Sequence, residues 1–242
     1  MIIFITLALI ALFYWLFMSS YSQVFGEFIY RAKTNKKVVA LTFDDGPNSP
    51  HTEKLLDTLK KEKVKATFFI VGKCALRYPK IVKRIDDEGH TIGNHSHSHN
   101  FFKYFCNPGF KYQIQKNQSI IEGLINKSPR LFRPPWLFRN PIVLKTVKNL
   151  NMDAISGKFC HELEVFQISS SRIAKRTISK VTPGSIIIFH DGVESKGGDR
   201  AQTVDAVQKV ITELKKQNYT FLTVDGLLGV NPYKSDKVNR RL

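Results

Sequence analysis

The sequence predicts an α/β fold, a parallel sheet or barrel wrapped by helices. Three observations carry that reading. Strand-like runs alternate with helical patterns along the chain after its first thirty residues, as βα units require. No Gly-rich phosphate loop follows the first strand, which turns the reading away from a dinucleotide-binding sheet. The length also fits, because an eight-unit barrel uses about 31 residues per unit and seven units need roughly 217. The chain has 242 residues, so 212 follow residue 30.

The first segment stands apart. Residues 1–18 carry no charged side chain, and eighteen apolar-dominated residues reach the lower limit for spanning a bilayer. Ser20-Tyr21-Ser22 is a poor cleavage site, so the segment reads as an uncleaved N-terminal hydrophobic helix, a transmembrane anchor. A cleaved signal peptide and a buried core helix are the alternatives. Arg31, Lys33, Lys36 and Lys37 follow it. The positive-inside rule would keep that side cytoplasmic, although whole domains translocate despite such charge. The same residues are placed to grip anionic head groups.

The strand-like runs are residues 38–43, 66–71, 91–94, 131–133, 152–156, 185–190 and 220–224. Helical patterns fill the intervals at 51–63, 78–88, 112–126, 141–150, 168–181 and 202–217. In the first of these Leu55, Leu56 and Leu59 share a face. The expected organisation is therefore 1–22 transmembrane anchor or signal peptide, 23–35 basic linker, 36–230 α/β domain and 231–242 basic C-terminal tail.

Composition excludes the non-globular classes. With 43% hydrophobic and 24% charged residues the chain can build a core. Its three cysteines, Cys74, Cys106 and Cys160, form at most one pair and no CxxC site. A net charge of +17 suits a polyanionic neighbour, nucleic acid, anionic lipid or an acidic cell-surface polymer, or else a solvated basic surface with no single partner. No nucleic-acid fold motif is present, and no nucleic-acid partner is expected.

Four motifs fall at the ends of strands. Thr42-Phe43-Asp44-Asp45-Gly46-Pro47 ends a strand in two carboxylates. Adjacent strand residues point to opposite faces, so both serve one site only if the chain bends there, as Gly46-Pro47 allows. One carboxylate can then ligate a cation while the other takes a proton. Gly93-Asn94-His95-Ser96-His97-Ser98-His99 offers three imidazoles, and spacing alone does not choose among them. Two with one carboxylate would leave open positions on a metal. Arg133-Pro134-Pro135-Trp136 holds a guanidinium suited to gripping a carboxylate. Residues 185–190 form a buried-type strand in which Ile186, Ile188 and His190 share a face. Each motif alone is ordinarily a turn, a polar loop or a structural side chain. Together they gather at the C-terminal ends of strands, where α/β barrels build active sites.

These motifs resemble those of the polysaccharide deacetylases of the NodB-homology type, carbohydrate esterase family 4, over about residues 36–228. The resemblance implies a distorted (β/α)7 barrel and metal-dependent removal of N-acetyl groups from an envelope glycan such as peptidoglycan. It implies Asp44 as general base and Asp45, His95 and His99 as ligands of Zn2+ or another divalent ion. Arg133 would orient Asp44, and His190 would be the general acid. The Trp136 backbone would help form an oxyanion hole, and Trp136 and Ile188 would wall an acetyl-sized pocket. His97 inherits no role. The family's Asp-Trp pair, whose Asp tunes the catalytic histidine, is missing; either Glu162 or Asp153 substitutes, or His190 lacks such a partner. A barrel hydrolase acting on another amide or ester, or an inactive glycan-binding relative, is the alternative. The envelope substrate places the domain on the periplasmic or outer side.

Overall fold

Every apolar run read as a strand is one. The structure, a computed structural model, describes residues 1–105, 109–160, 162–194 and 196–235. In chain order the elements begin with α1 (Ile2–Phe17), β1 (Val38–Asp44), α2 (His51–Lys61), β2 (Thr67–Ile70), α3 (Gly72–Arg77), α4 (Pro79–Asp87) and β3 (Thr91–Asn94). Next come α5 (Phe102–Phe105), α6 (Gly109–Ile125), β4 (Leu131–Phe132), α7 (Pro141–Asn149), β5 (Asp153–Ala154) and β6 (Lys158–Phe159). The chain continues through α8 (Ser170–Lys180), β7 (Ile186–His190), α9 (Ala201–Lys216), β8 (Thr220–Leu222) and α10 (Val224–Leu228). Strand β6 has no apolar run to announce it. Cys74 and Cys160 are buried, and Cys106 lies outside the described residues.

All strand pairs are parallel, in the order β5-β4-β3-β2-β1-β7-β6, with β8 on the start of β1. Residues 155–157 alone join the two edge strands, so the sheet curls toward closure as a half-barrel. Its outer face is apolar and carries the helices. Val39, Leu41 and Phe43 of β1 and Ile187 and Phe189 of β7 pack with Leu55, Leu56 and Leu59 of α2 and with Val207, Val210, Ile211 and Leu214 of α9. Fully burying side chains of this size contributes roughly 1.5–3 kcal/mol each. The inner face changes character along its length. Ala40 and Ile186 are apolar and buried, whereas Thr42, Asp44 and His190 follow them toward the C-terminal end. The polar residues therefore collect at one mouth of the half-barrel.

The N-terminal segment corrects two expectations. It is helical, but α1 has 16 residues, about 24 Å at 1.5 Å per residue against a hydrocarbon core of about 30 Å. Among the described residues no helix is long and apolar enough to cross a membrane. The helix stops short because the chain then turns onto the domain. The Arg139 N–H donates to the Phe17 carbonyl at 2.9 Å, and the Ser156 hydroxyl donates to the Ser20 carbonyl at 2.9 Å. Residues 23–35 do not hang free as a linker either. Phe28 is fully buried against Leu137 and Ile188. The Ile29 N–H donates to Ala154, Ser156 donates to Ile29, and Ala32 donates to Gly184, at 2.7–3.1 Å. This stretch lies along the opening of the half-barrel. At the other end Tyr233 packs beside β3, its hydroxyl accepting from the Ile92 N–H at 3.2 Å.

Candidate active site

Strand register sets the first pair. Asp44 and His190 end neighbouring strands directly opposite one another, and side chains in register share a face. Asp45 then has φ +75°, a left-handed conformation that is unusual for a residue other than glycine. That single residue makes the bend the two carboxylates require. Behind it the turn is held closed, because a Cβ at Gly46 would lie 2.1 Å from the Asp191 carboxylate.

Asp44 is locked by Arg133. The guanidinium is wholly buried and donates to Asp44 Oδ1 at 2.6 Å, to the Thr42 hydroxyl at 2.7 Å and to the Ser156 carbonyl at 2.8 Å. It also stacks 4.1 Å from the Phe69 ring centroid. Gly93 leaves room for that ring, since a Cβ there would meet it at 2.5 Å. Burial pulls the Arg133 pKa down against the countering charge of Asp44. Breaking such a buried pair typically costs about 3–5 kcal/mol.

Asp45, His95 and His99 form a buried cluster whose ligand atoms lie within 4.8 Å of one another. His95 Nε2 and His99 Nε2 are 3.4 and 3.1 Å from Asp45 Oδ1. His95 Nδ1 lies 2.7 Å from the Arg133 carbonyl. It serves there as the N–H donor, which leaves Nε2 free to ligate. Burial alone would raise the Asp45 pKa, but the charge of His99, with those of His190 and His95, holds it far below the carboxylate range. Burial pushes His99 down to about 4, against the pull of Asp45. An ionised carboxylate and an unprotonated imidazole are the states in which Asp45 and His99 bind a cation. Asp45 Oδ1 is buried without a hydrogen-bond partner. A divalent ion fits that orphaned acceptor. His97 does not join the cluster.

The Trp136 ring stands 4.2 Å from the His99 ring, and Trp136 itself has φ +54°. Ile188 lies on β7 one alternation below His190, buried with Leu137 and Phe28. The eight residues expected from sequence thus converge on one mouth.

Comparison with known proteins bears on what such a mouth is. Residues 31–155 match the family model described as polysaccharide deacetylase. The chain belongs to the polysaccharide deacetylase family. A peptidoglycan-N-acetylglucosamine deacetylase of Bacillus cereus is 35% identical over 204 residues, 84% of this chain and 93% of the relative. The peptidoglycan-N-acetylmuramic acid deacetylase PdaA of Bacillus subtilis is 32% identical, over 82% of this chain and 74% of that one. Among solved structures, a peptidoglycan N-acetylglucosamine deacetylase bound to a naphthyl N-hydroxybenzamide superposes with a TM-score of 0.80. It is 33% identical and covers 86% of this chain and 95% of that one. A pseudoenzyme of carbohydrate esterase family 4 from Bacillus anthracis superposes at 0.75, with 28% identity over 86% of this chain and 72% of that one.

In the deacetylase the partner of His190 is neither expected residue. Glu162 pairs with Lys180 at 2.6 Å and Asp153 with Arg130 at 2.9 Å, both away from the mouth. Glu164, from a 3-10 turn at Glu164–Phe166, reaches His190 Nδ1 at 2.7 Å and is itself buried. Its second oxygen accepts from the Thr203 hydroxyl. Burial works against the His190 charge, but the Glu164 carboxylate outweighs it and lifts the pKa to about 9. The sequence held a signal, a lone acid inside Leu163-Glu164-Val165-Phe166, since a charge amid apolar neighbours calls for a partner. A raised histidine pKa means that the charged form prevails at neutral pH. The pair's stabilisation is complete below about pH 6.5 and fades as pH climbs through 9. Glu164→Gln removes the main support for that charge. The alkaline limb of kcat, expected near pH 9, should move toward 6.5, with a loss of at least about tenfold at pH 8. A pH–rate profile superposable on wild type would take Glu164 out of the mechanism.

Proposed function

We propose that this deacetylase removes N-acetyl groups from peptidoglycan amino sugars outside the cytoplasm, using a divalent ion, zinc in our reading. The reading rests foremost on one observation. Asp44 and His190 face each other in register at the mouth that also holds the Asp45, His95 and His99 cluster. A base and an acid thus flank a cation site. The peptidoglycan assignment draws on the named activities of the Bacillus relatives.

Asp45, His95 and His99 would hold the cation, which would supply Lewis-acid charge and make a bound water a stronger acid. Asp44 takes the proton of the attacking water, held in place by Arg133. The Trp136 backbone N–H serves the developing oxyanion. His190, kept protonated by Glu164, gives its proton to the departing amine. Ile188 and Trp136 wall the acetyl group. Acetate and a free amino sugar result.

Helix α1 supports association with lipid without a crossing. Its side chains are exposed on all sides, among them Ile3, Phe4, Ile10 and Leu12. A helix that is apolar all round needs an apolar environment. Such a helix would lodge among the acyl chains, with the chain's basic excess held at the anionic head groups.

The test is acetate release from peptidoglycan and from N-acetylglucosamine oligomers, with chelator and after adding zinc. Release that stops with chelator and returns with metal is the expected result. Metal binding without acetate from any N-acetylated glycan would make this chain a pseudoenzyme like its Bacillus anthracis relative.

A further inference from the structure

Beside the metal cluster lies a cleft lined by His97, His99, Phe101, Trp136 and four lysines, Lys73, Lys103, Lys116 and Lys196. The reaction uses none of the lysines. They come from separate parts of the fold: Lys73 from α3, Lys103 from α5, Lys116 from α6 and Lys196 from the loop after β7. Two are fixed through their backbone. The Lys73 N–H donates to the His97 carbonyl at 2.9 Å and the Lys103 N–H to Asn100 at 3.1 Å. Lys116 Nζ stands 5.6 Å from the Tyr112 ring centroid. One carboxylate shares the cleft, Glu194, and it pairs with Lys196 at 3.4 Å. Among the described residues Lys73, Lys103 and Lys116 have no carboxylate within ion-pair distance.

Gathering unpaired ammonium groups at a cleft raises the local concentration of anions and repels cations. An N-acetylated sugar is neutral and gains nothing from this field. A strand that carries a carboxylate on the sugar beside the reacting one does gain, and it enters along the lysine side while the acetyl group reaches the metal cluster. Resting on the deacetylase reading above, we infer that Lys73, Lys103 and Lys116 recognise a glycan carboxylate next to the reacting N-acetyl group. Anionic N-acetylated strands are therefore preferred over neutral ones.

The test compares neutral N-acetylglucosamine oligomers with oligomers of equal length whose alternate sugars carry a lactyl carboxylate. Wild type and the K73Q/K103Q/K116Q variant are assayed at low and high ionic strength. Three exposed ion pairs of ordinary strength sum to roughly tenfold. Wild-type kcat/KM should be about tenfold higher on the anionic oligomer at low salt, and the preference should shrink with added salt. The variant should lose about tenfold more on the anionic oligomer than on the neutral one. Equal kcat/KM on both substrates, or equal losses in the variant, would overturn the proposal. Calorimetric binding of the same oligomers separates this from failure of the deacetylase reading. With no acetate released, a Kd tightened by the carboxylate and weakened in the variant still supports it, and a Kd indifferent to both overturns it.

Discussion

Asp44→Asn should lose roughly 10²–10⁴ in kcat, the usual contribution of a general base, while keeping its metal. The two effects separate because Asp44 and Asp45 point at different partners. Asp44 is held by Arg133 at 2.6 Å, whereas the cluster around His95 and His99 is centred on Asp45 Oδ1. Asparagine keeps the shape and a carbonyl for the Arg133 N–H but cannot accept a proton. It also leaves the buried guanidinium without a counter-charge, so a lower Tm is expected as well. The fall is limited because Arg133 still donates to Thr42 and to the Ser156 carbonyl. The check is kcat measured well below the variant's Tm, with zinc content determined on the same sample. Unchanged turnover would exclude Asp44 as the base, and lost zinc would move it into the ligand set.

His95→Ala should abolish stoichiometric zinc binding, and His97→Ala should leave it nearly intact. The two histidines are both buried and two residues apart in the sequence, but their ring nitrogens face different surroundings. His95 Nε2 meets Asp45 Oδ1 at 3.4 Å, whereas His97 lines the lysine cleft. Losing one of three ligands from a site built for an ion removes most of its affinity, and activity should fall with occupancy. Zinc titration of the metal-free proteins is the measurement. Comparable zinc affinity in the two variants would break the assignment of His95.

The outer face of the barrel was legible because burial is periodic. Leu55, Leu56 and Leu59 of α2 are all buried as the helical spacing requires. Strand β6 escaped notice because Lys158 and Phe159 pair through backbone alone, and two residues leave no apolar pattern. At the site, Asp44, Asp45, His95, His99, Arg133 and His190 lie within motifs, where short-range spacing carries information. Glu164 lies 26 residues from His190, and their meeting depends on a 3-10 turn that local propensity does not announce. The N-terminal segment misled for a related reason. Eighteen uncharged residues measure hydrophobicity, but the length of the helix is set by where the chain docks, and that contact with Arg139 is distant in sequence.

That docking changes where the catalytic unit begins. Arg139 lies over the Phe28 ring at 4.4 Å and donates to the Ser22 carbonyl at 2.8 Å, so residues far ahead of β1 are rivets for the loop that carries Trp136. Trimming the chain at residue 30 to shed the apolar helix would pull Phe28 from beside Leu137 and Ile188 and leave a cavity there. A soluble, working version has to start before Ser20. The same rivets deny the domain a leash: the mouth keeps a fixed position relative to the end of α1.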